Sequence, residues 1–289
     1  MKKIVITLAS MAFFGQLSAQ NEVRLGFFTG INKTSLYNTK DAAFGDYVPT
    51  FKPTVGIEGG YHFTLFKALP MGISLQASHN RLGQNYSGNY QDSTSYFAYS
   101  RLNYFRMGAA LNFSSNPRRQ LALTFSMGAT MGILTSYQDR YELVRYNNDR
   151  YIMDIRNSEV ILFDTAEVRG SISEPLYNKT DMTVFGTLGF DMLISKSLVF
   201  GCYGRFDYGM GSTIENNKAK LNINYETNPP TTYSYKPFNL ETKYRGPVDD
   251  NITRSATTNR FYGIYFSLKY RLYNREKIEF YYKEADKYK

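Results

Sequence analysis

Hydrophobic and polar residues take turns along much of this chain, most regularly between residues 121 and 133. Leu121, Leu123, Phe125, Met127, Ala129, Met131 and Ile133 fall on one face, while Ala122, Thr124, Ser126, Gly128, Thr130 and Gly132 fall on the other. Successive side chains of a strand point to opposite faces, so this segment predicts a β-strand with one bulky apolar face and one small or polar face. The alternation recurs at 23–31, 55–63, 71–78, 104–113, 184–194, 198–209 and 263–272. Each stretch runs for roughly ten residues, the length a tilted strand needs to cross hydrocarbon. Lipid suits the bulky set and a crowded lumen suits the small one. The expectation is an all-β chain: a closed antiparallel up-and-down transmembrane β-barrel of about eight strands with long extracellular loops. A soluble sandwich also alternates, but it would hide its apolar face in a core between two sheets.

The connections sort into two kinds. Those at 66–70, 116–120 and 195–197 are short, whereas those at 33–50, 80–99, 135–181 and 211–259 are long. Short periplasmic turns opposite long extracellular loops is the outer-membrane arrangement. It predicts both termini on the periplasmic side and places Arg118, Arg119 and Lys196 at the inner rim. Two of the long connections contain hairpin signals. Residues 141–146 and 150–155 flank Asn147-Asn148-Asp149, and 221–225 and 231–235 flank Asn228-Pro229-Pro230. These predict ribbons rising above the membrane. Their polar outward positions, among them Arg145, Arg150 and Asp154, argue against strands added to the wall.

The N-terminus adds a destination. Lys2 and Lys3 precede an apolar run from residue 4 to 14, and Ala19 offers a small residue for cleavage. This reads as a signal peptide over 1–19, followed by a barrel domain over 20–273 and a short periplasmic tail over 274–289. Nothing after the signal is long and apolar enough for a transmembrane helix. The lone Cys202 excludes an internal disulfide and a cysteine-based zinc site. The 26 Tyr, 21 Phe and 22 Gly favour a β-protein with tight packing and wet aromatic edges. Mean hydropathy is −0.41, which suits a barrel because only alternate strand residues meet lipid. The formal net charge of +9 is scattered along the sequence, so no basic face for nucleic acid is expected.

The signal ending, the eight alternations, the Gly-rich inward faces and the Tyr-rich loops together resemble the outer-membrane β-barrel proteins of the Bacteroidota, the PorT-like group in particular. The resemblance covers essentially all of the chain after the signal. It implies a fold and an outer-membrane location, and for some members a part in protein secretion. It implies no active-site motif. Small barrels of the OmpA type look similar in architecture only, since the tail is too short for a peptidoglycan-binding domain. Expected partners are outer-membrane lipid and lipopolysaccharide, the barrel-assembly machinery, and an envelope protein met through the loops or tail.

Candidate chemistry sits on the inward face. Arg24, Glu58, Arg106, Asp191, Arg205, Asp207, Lys269 and Arg271 all fall on predicted lumen positions. Charges there must be paired, because an isolated buried charge costs several kcal/mol. The expectation is a structural charge network that fills the lumen; a narrow path for ions or small solutes is the alternative. A lipid-modifying or proteolytic barrel enzyme is a second alternative, which needs a histidine with carboxylate or serine partners at one rim. His62 falls near the periplasmic end and His79 at the opposite end of the next strand. Asp92 and Ser93 lie near enough to His79 in sequence to be such partners. No catalytic residue, cofactor or metal site is expected. The remaining candidates are the Tyr-rich loops around 86–99, 137–151 and 225–244, which offer rigid amphipathic contacts for a partner.

Overall fold

The computed structural model describes residues 22–37, 47–65, 69–90, 94–115, 120–144, 150–157, 159–163, 167–172, 175–210, 214, 220–223, 231–234 and 257–272. The proposed signal peptide, the tail and the Asp92–Ser93 pair lie outside these residues. In chain order the strands are β1 (Glu22–Tyr37), β2 (Tyr47–Val48), β3 (Thr50–Leu65), β4 (Leu69–Tyr90), β5 (Thr94–Ser114), β6 (Leu121–Val144), β7 (Arg150–Arg156), β8 (Glu159–Phe163), β9 (Glu167–Ile172), β10 (Thr180–Leu193), β11 (Leu198–Met210), β12 (Lys220–Ile223), β13 (Thr231–Ser234) and β14 (Thr258–Leu272).

Eight of them close a ring, in the order β1, β3, β4, β5, β6, β10, β11, β14 and back to β1. Every step is antiparallel. The ring closes where Val23 faces Leu272 and where Tyr37 faces Thr258. These are the eight segments whose alternation is visible in the sequence. The ends of β1 and β14 meet at the rim that carries the tight Ile194–Leu198 turn. That rim is the one expected to face the periplasm.

The outer surface of the ring is an apolar belt. Ile57, Leu75, Leu123 and Leu188 are each about two-thirds exposed, at 64%, 66%, 65% and 67%. A water-soluble protein would not leave so continuous a band of large apolar side chains uncovered. Facing inward between them are Arg24, Ser78, Arg106, Ala122, Thr130, Asp191 and Ser267, all buried. The chain is therefore a transmembrane β-barrel, its outside matched to hydrocarbon and its inside to polar side chains.

Above the belt the wall continues unevenly. The loop expected over 80–99 is instead a hairpin: β4 and β5 stay in register from Met71–Phe113 up to Tyr90–Thr94. Its polar and aromatic residues disguised the strand, because above the belt the outer positions no longer need to be apolar. β6 leaves β10 near Leu134, whose amide bonds the Lys179 carbonyl at 2.8 Å, and then pairs with β7. A register shift against Asn103 and Tyr104 leaves Thr135 as the extra residue of a β-bulge. Strands β7, β8, β9, β12 and β13 extend this sheet. The expected hairpins at 141–155 and 221–235 are β6–β7 and β12–β13, while their turns lie outside the described residues. Strands β8 and β9 are five and six residues long. They were not foreseen, since runs so short carry little periodicity.

A second core fills this upper region. Leu36, Leu82, Tyr86, Leu102, Tyr137, Ile155, Leu176 and Phe261 are among its buried members. It lies inside the barrel mouth, where below it the interior is polar.

Candidate functional site

The charged lumen is built in three levels. At the periplasmic end, Arg24 bonds Glu22 and also reaches Asp191 at 2.8 Å. Arg271 bonds the other oxygen of Glu22. Lys269 lies 3.3 Å from both Glu58 and Asp191, so one ammonium bridges two carboxylates. Midway up, Arg205 holds Asp207 through two bonds of 2.7 and 2.9 Å and donates a third, of 2.9 Å, to Gln76. Its guanidinium lies 3.9 Å from the centre of the Phe185 ring. At the top, Arg106 bonds Asp181 and donates to Thr183 at 2.8 Å. Asn259 donates to the same Asp181 at 2.8 Å.

Alternation explains why these groups meet. Inward positions on adjacent strands lie side by side, so Arg24 of β1 and Arg271 of β14 are cross-strand partners. Five cations (Arg24, Arg106, Arg205, Lys269, Arg271) face five carboxylates (Glu22, Glu58, Asp181, Asp191, Asp207). Such a balance is what a low-dielectric interior requires, because each unpaired ion would cost several kcal/mol. All eight positions singled out from the sequence lie in this network. Two members were missed, Glu22 and Asp181. Both share the inward parity of their strands, so extending the alternation of 23–31 and 184–194 outward by one and three residues would have found them.

The lumen is not solid. A cavity of about 70 Å³ opens between the lower two levels. One wall carries Arg24, Glu58, Asp191 and Lys269; the other carries Ser74, Asn112, Thr124 and Ser126 of β4, β5 and β6. His62 lines this cavity and packs on Gly72, where an added Cβ would meet Nδ1 at 2.7 Å. His79 is exposed on the outer surface. The two imidazoles are not brought together. Among the described residues, no group of three histidine, cysteine or acidic side chains is placed to hold a metal ion.

The mouth is covered from above. The segment 175–179 turns inward and buries Leu176 and Tyr177 completely or nearly so. Tyr177 donates to Asp139 at 2.8 Å, and the Leu176 amide donates to the Tyr137 hydroxyl at 3.2 Å. Tyr137 in turn donates to the carbonyl of Asn157, a residue held at φ 55°. Burial pushes the Tyr137 hydroxyl above its ordinary pKa of 10.0. Asn178 and Thr257 bond Ile214 through the backbone and tie the 214 region to the same cover. Sequence reading missed this cover because residues 175–179 belong to no strand long enough to show a period.

The outer surface just above the belt is the third feature. Here Lys33, Arg81, Arg101 and Arg260 replace the apolar residues found lower on the same strands. Arg260 is stacked between two rings, 3.4 Å from the centre of Tyr37 and 4.7 Å from that of Tyr208. Arg101 lies 4.1 Å from the centre of Tyr99. Tyr and basic residues together at this height mark a membrane–water interface.

No family model matches the chain, and no characterised protein matches it in sequence. Several solved structures are similar to it. The Neisserial surface protein NspA aligns at 8% identity with a TM-score of 0.31, covering 87% of this chain and 99% of that one. Ail, the attachment invasion locus protein of Yersinia pestis, aligns at 8% identity with a TM-score of 0.30, covering 87% and 97%. OprG of Pseudomonas aeruginosa aligns at 10% identity with a TM-score of 0.32, covering 88% and 96%.

Proposed function

We propose that this chain is a non-conducting outer-membrane barrel that works through what stands above and below the membrane, not through its lumen. The observation that carries this reading is the doubly closed interior: a charge-balanced network in the wall and an apolar, Tyr-sealed core in the mouth. A hydrated solute crossing such a barrel would have to displace paired charges first and then a dry core. Its role is then structural, binding or secretion-associated, with the rigid sheet above the membrane and the periplasmic tail as contact surfaces for an envelope protein. We assign it to the PorT-like barrels of the Bacteroidota on the signal-like N-terminus, the Gly-rich inward faces and the Tyr-rich loops. It is exported with cleavage after residue 19, assembled by the barrel-assembly machinery, and has no catalytic chemistry.

Planar-bilayer recording tests the reading. Purified protein should give no steady single-channel steps, and removing the cover with Leu176→Gly and Tyr177→Gly should not by itself create them, because the Arg106–Asp181 level still blocks the lumen. Steady unitary currents from the unaltered protein would overturn it in favour of a narrow channel. The polar cavity near Lys269 is the one feature that favours that second reading.

A further inference from the structure

The basic residues look scattered in the sequence, but the barrel gathers some of them. Arg260 of β14, Lys33 of β1, Arg81 of β4 and Arg101 of β5 sit outward at the upper edge of the apolar belt. With β3 between Lys33 and Arg81, they span five consecutive strands of the ring. At a strand spacing of about 4.8 Å the arc is roughly 20 Å wide. Lys33 and Arg260 are diagonal neighbours across β1 and β14, and Arg81 and Arg101 are diagonal neighbours across β4 and β5.

The contrast with the other cations is sharp. Arg24, Arg106, Arg205, Lys269 and Arg271 in the lumen, and Arg140, Arg150 and Arg156 on the upper sheet, all have carboxylate partners. Among the described residues, none of the four arc cations has one. The strands themselves explain this. β4, β5 and β14 contain no acidic residue, and the only acids of β1 and β3 are Glu22 and Glu58, both committed to the lumen network. Arg260 is also fixed in place: its two flanking tyrosines hold it, and its Nε hydrogen has no acceptor.

Position selects the kind of anion. The arc is on the outer face, directly above lipid-facing Ile31, Phe105 and Tyr262. A group that neutralises it must arrive from the side, at headgroup height, with its apolar part against the belt. We propose that this arc is a binding site for the phosphates of a phosphorylated glycolipid of the outer leaflet, a lipopolysaccharide of the lipid A type, with its acyl chains along β14, β1, β3, β4 and β5. The inference rests on the membrane reading above. The opposite arc, β6, β10 and β11, lacks such a set and should contact lipid without preference for charge.

The test uses the full chain, folded in neutral detergent micelles and, separately, reconstituted into phosphatidylcholine vesicles. Binding is measured with diphosphorylated lipid A, with dephosphorylated lipid A bearing the same acyl chains, and with inorganic phosphate. The expected result is at least tenfold tighter binding of the diphosphorylated form, abolished in an Arg81→Gln/Arg101→Gln/Arg260→Gln variant and retained in a Lys196→Gln variant at the opposite rim. Circular dichroism and heat-modifiable gel mobility establish that the triple variant is folded. Should it not fold, the single Arg101→Gln variant and salt titration of the unaltered protein carry the same comparison. Equal binding of the two lipids, an unaffected folded variant, or binding of inorganic phosphate that competes fully with lipid would each overturn the proposal. Insertion into vesicles without phosphate discrimination sinks this inference alone. Failure to insert at all sinks the membrane reading with it.

Discussion

The barrel inside the belt and the barrel above it are built on the same strands with opposite polarity. In the lower part of β4, Ile73 and Leu75 face out while Ser74 and Gln76 face in; in the upper part, Arg81 faces out while Leu82 and Tyr86 are buried inside. β5 does the same, from Met107 and Leu111 outside with Arg106 and Asn112 inside to Arg101 outside with Leu102 inside. In β6 the change needs a change of phase. The bulge at Thr135 turns Tyr137, Asp139 and Tyr141 inward although they share odd numbering with the lipid-facing set below. Alternation therefore reports only that a strand is two-sided. Which face is apolar reports the solvent on each side, and the height at which the faces exchange reports where the hydrocarbon ends.

The largest effect that would break this comparison is expected at the top lumen level. Arg106→Leu alone leaves Asp181 buried without its cation and should cost about 3–5 kcal/mol of unfolding free energy. Replacing both as Arg106→Leu/Asp181→Leu should recover most of that loss, as read by urea unfolding in lipid bilayers. A single variant that loses under about 1 kcal/mol would mean that the lumen there is wet. Next is the dry core above. Leu102 is completely buried, and Leu102→Ala should cost about 2–5 kcal/mol and expose the upper sheet to protease while the wall stays intact. The lipid face comes third. Leu188→Arg should cost about 2–4 kcal/mol in bilayers, whereas Arg101→Leu above the belt should change stability by less than about 0.5 kcal/mol. Equal costs at 188 and 101 would place the belt edge elsewhere.

The smallest effect sharpens the comparison at the mouth. Tyr137 has a raised pKa, so its folded form prefers the neutral hydroxyl. The stability it contributes is complete below its ordinary pKa of 10.0 and is lost as pH rises through the folded value. Protection of the 175–179 cover, measured by limited proteolysis, should fall above about pH 10. Tyr137→Phe should flatten that alkaline slope and cost about 1 kcal/mol at neutral pH through its lost hydrogen bonds.

Much of the wall was legible in the sequence because each strand in the belt meets lipid on one side and a crowded lumen on the other. That demand leaves a pattern of period two in residues such as 121–133, and the lumen charges follow from its parity. The upper strands were less legible. Between 80 and 99, outward Arg81 and Asn85 alternate with inward Leu82, Gln84 and Tyr86, so neither face is uniformly apolar and the stretch reads as a loop. The cover at Leu176 and Tyr177 is set by tertiary contacts with Asp139 and Tyr137, nearly forty residues earlier in the chain. The cationic arc was invisible for a related reason. Its members come at most one to a strand, and only the ring order makes them neighbours.

Spin-label accessibility tests the exchange of faces most directly. Single labels would be placed at 57, 74, 102 and 188 in a Cys202→Ser background, in protein reconstituted into bilayers, and exposed to oxygen dissolved in lipid and to a water-soluble nickel chelate. Labels at 57 and 188 should collide with oxygen and not with nickel, the label at 102 with neither, and the label at 74 with nickel alone or with neither. A label at 102 that meets oxygen as freely as that at 188, or a label at 57 that meets nickel, would contradict a barrel whose polarity inverts at the edge of the membrane.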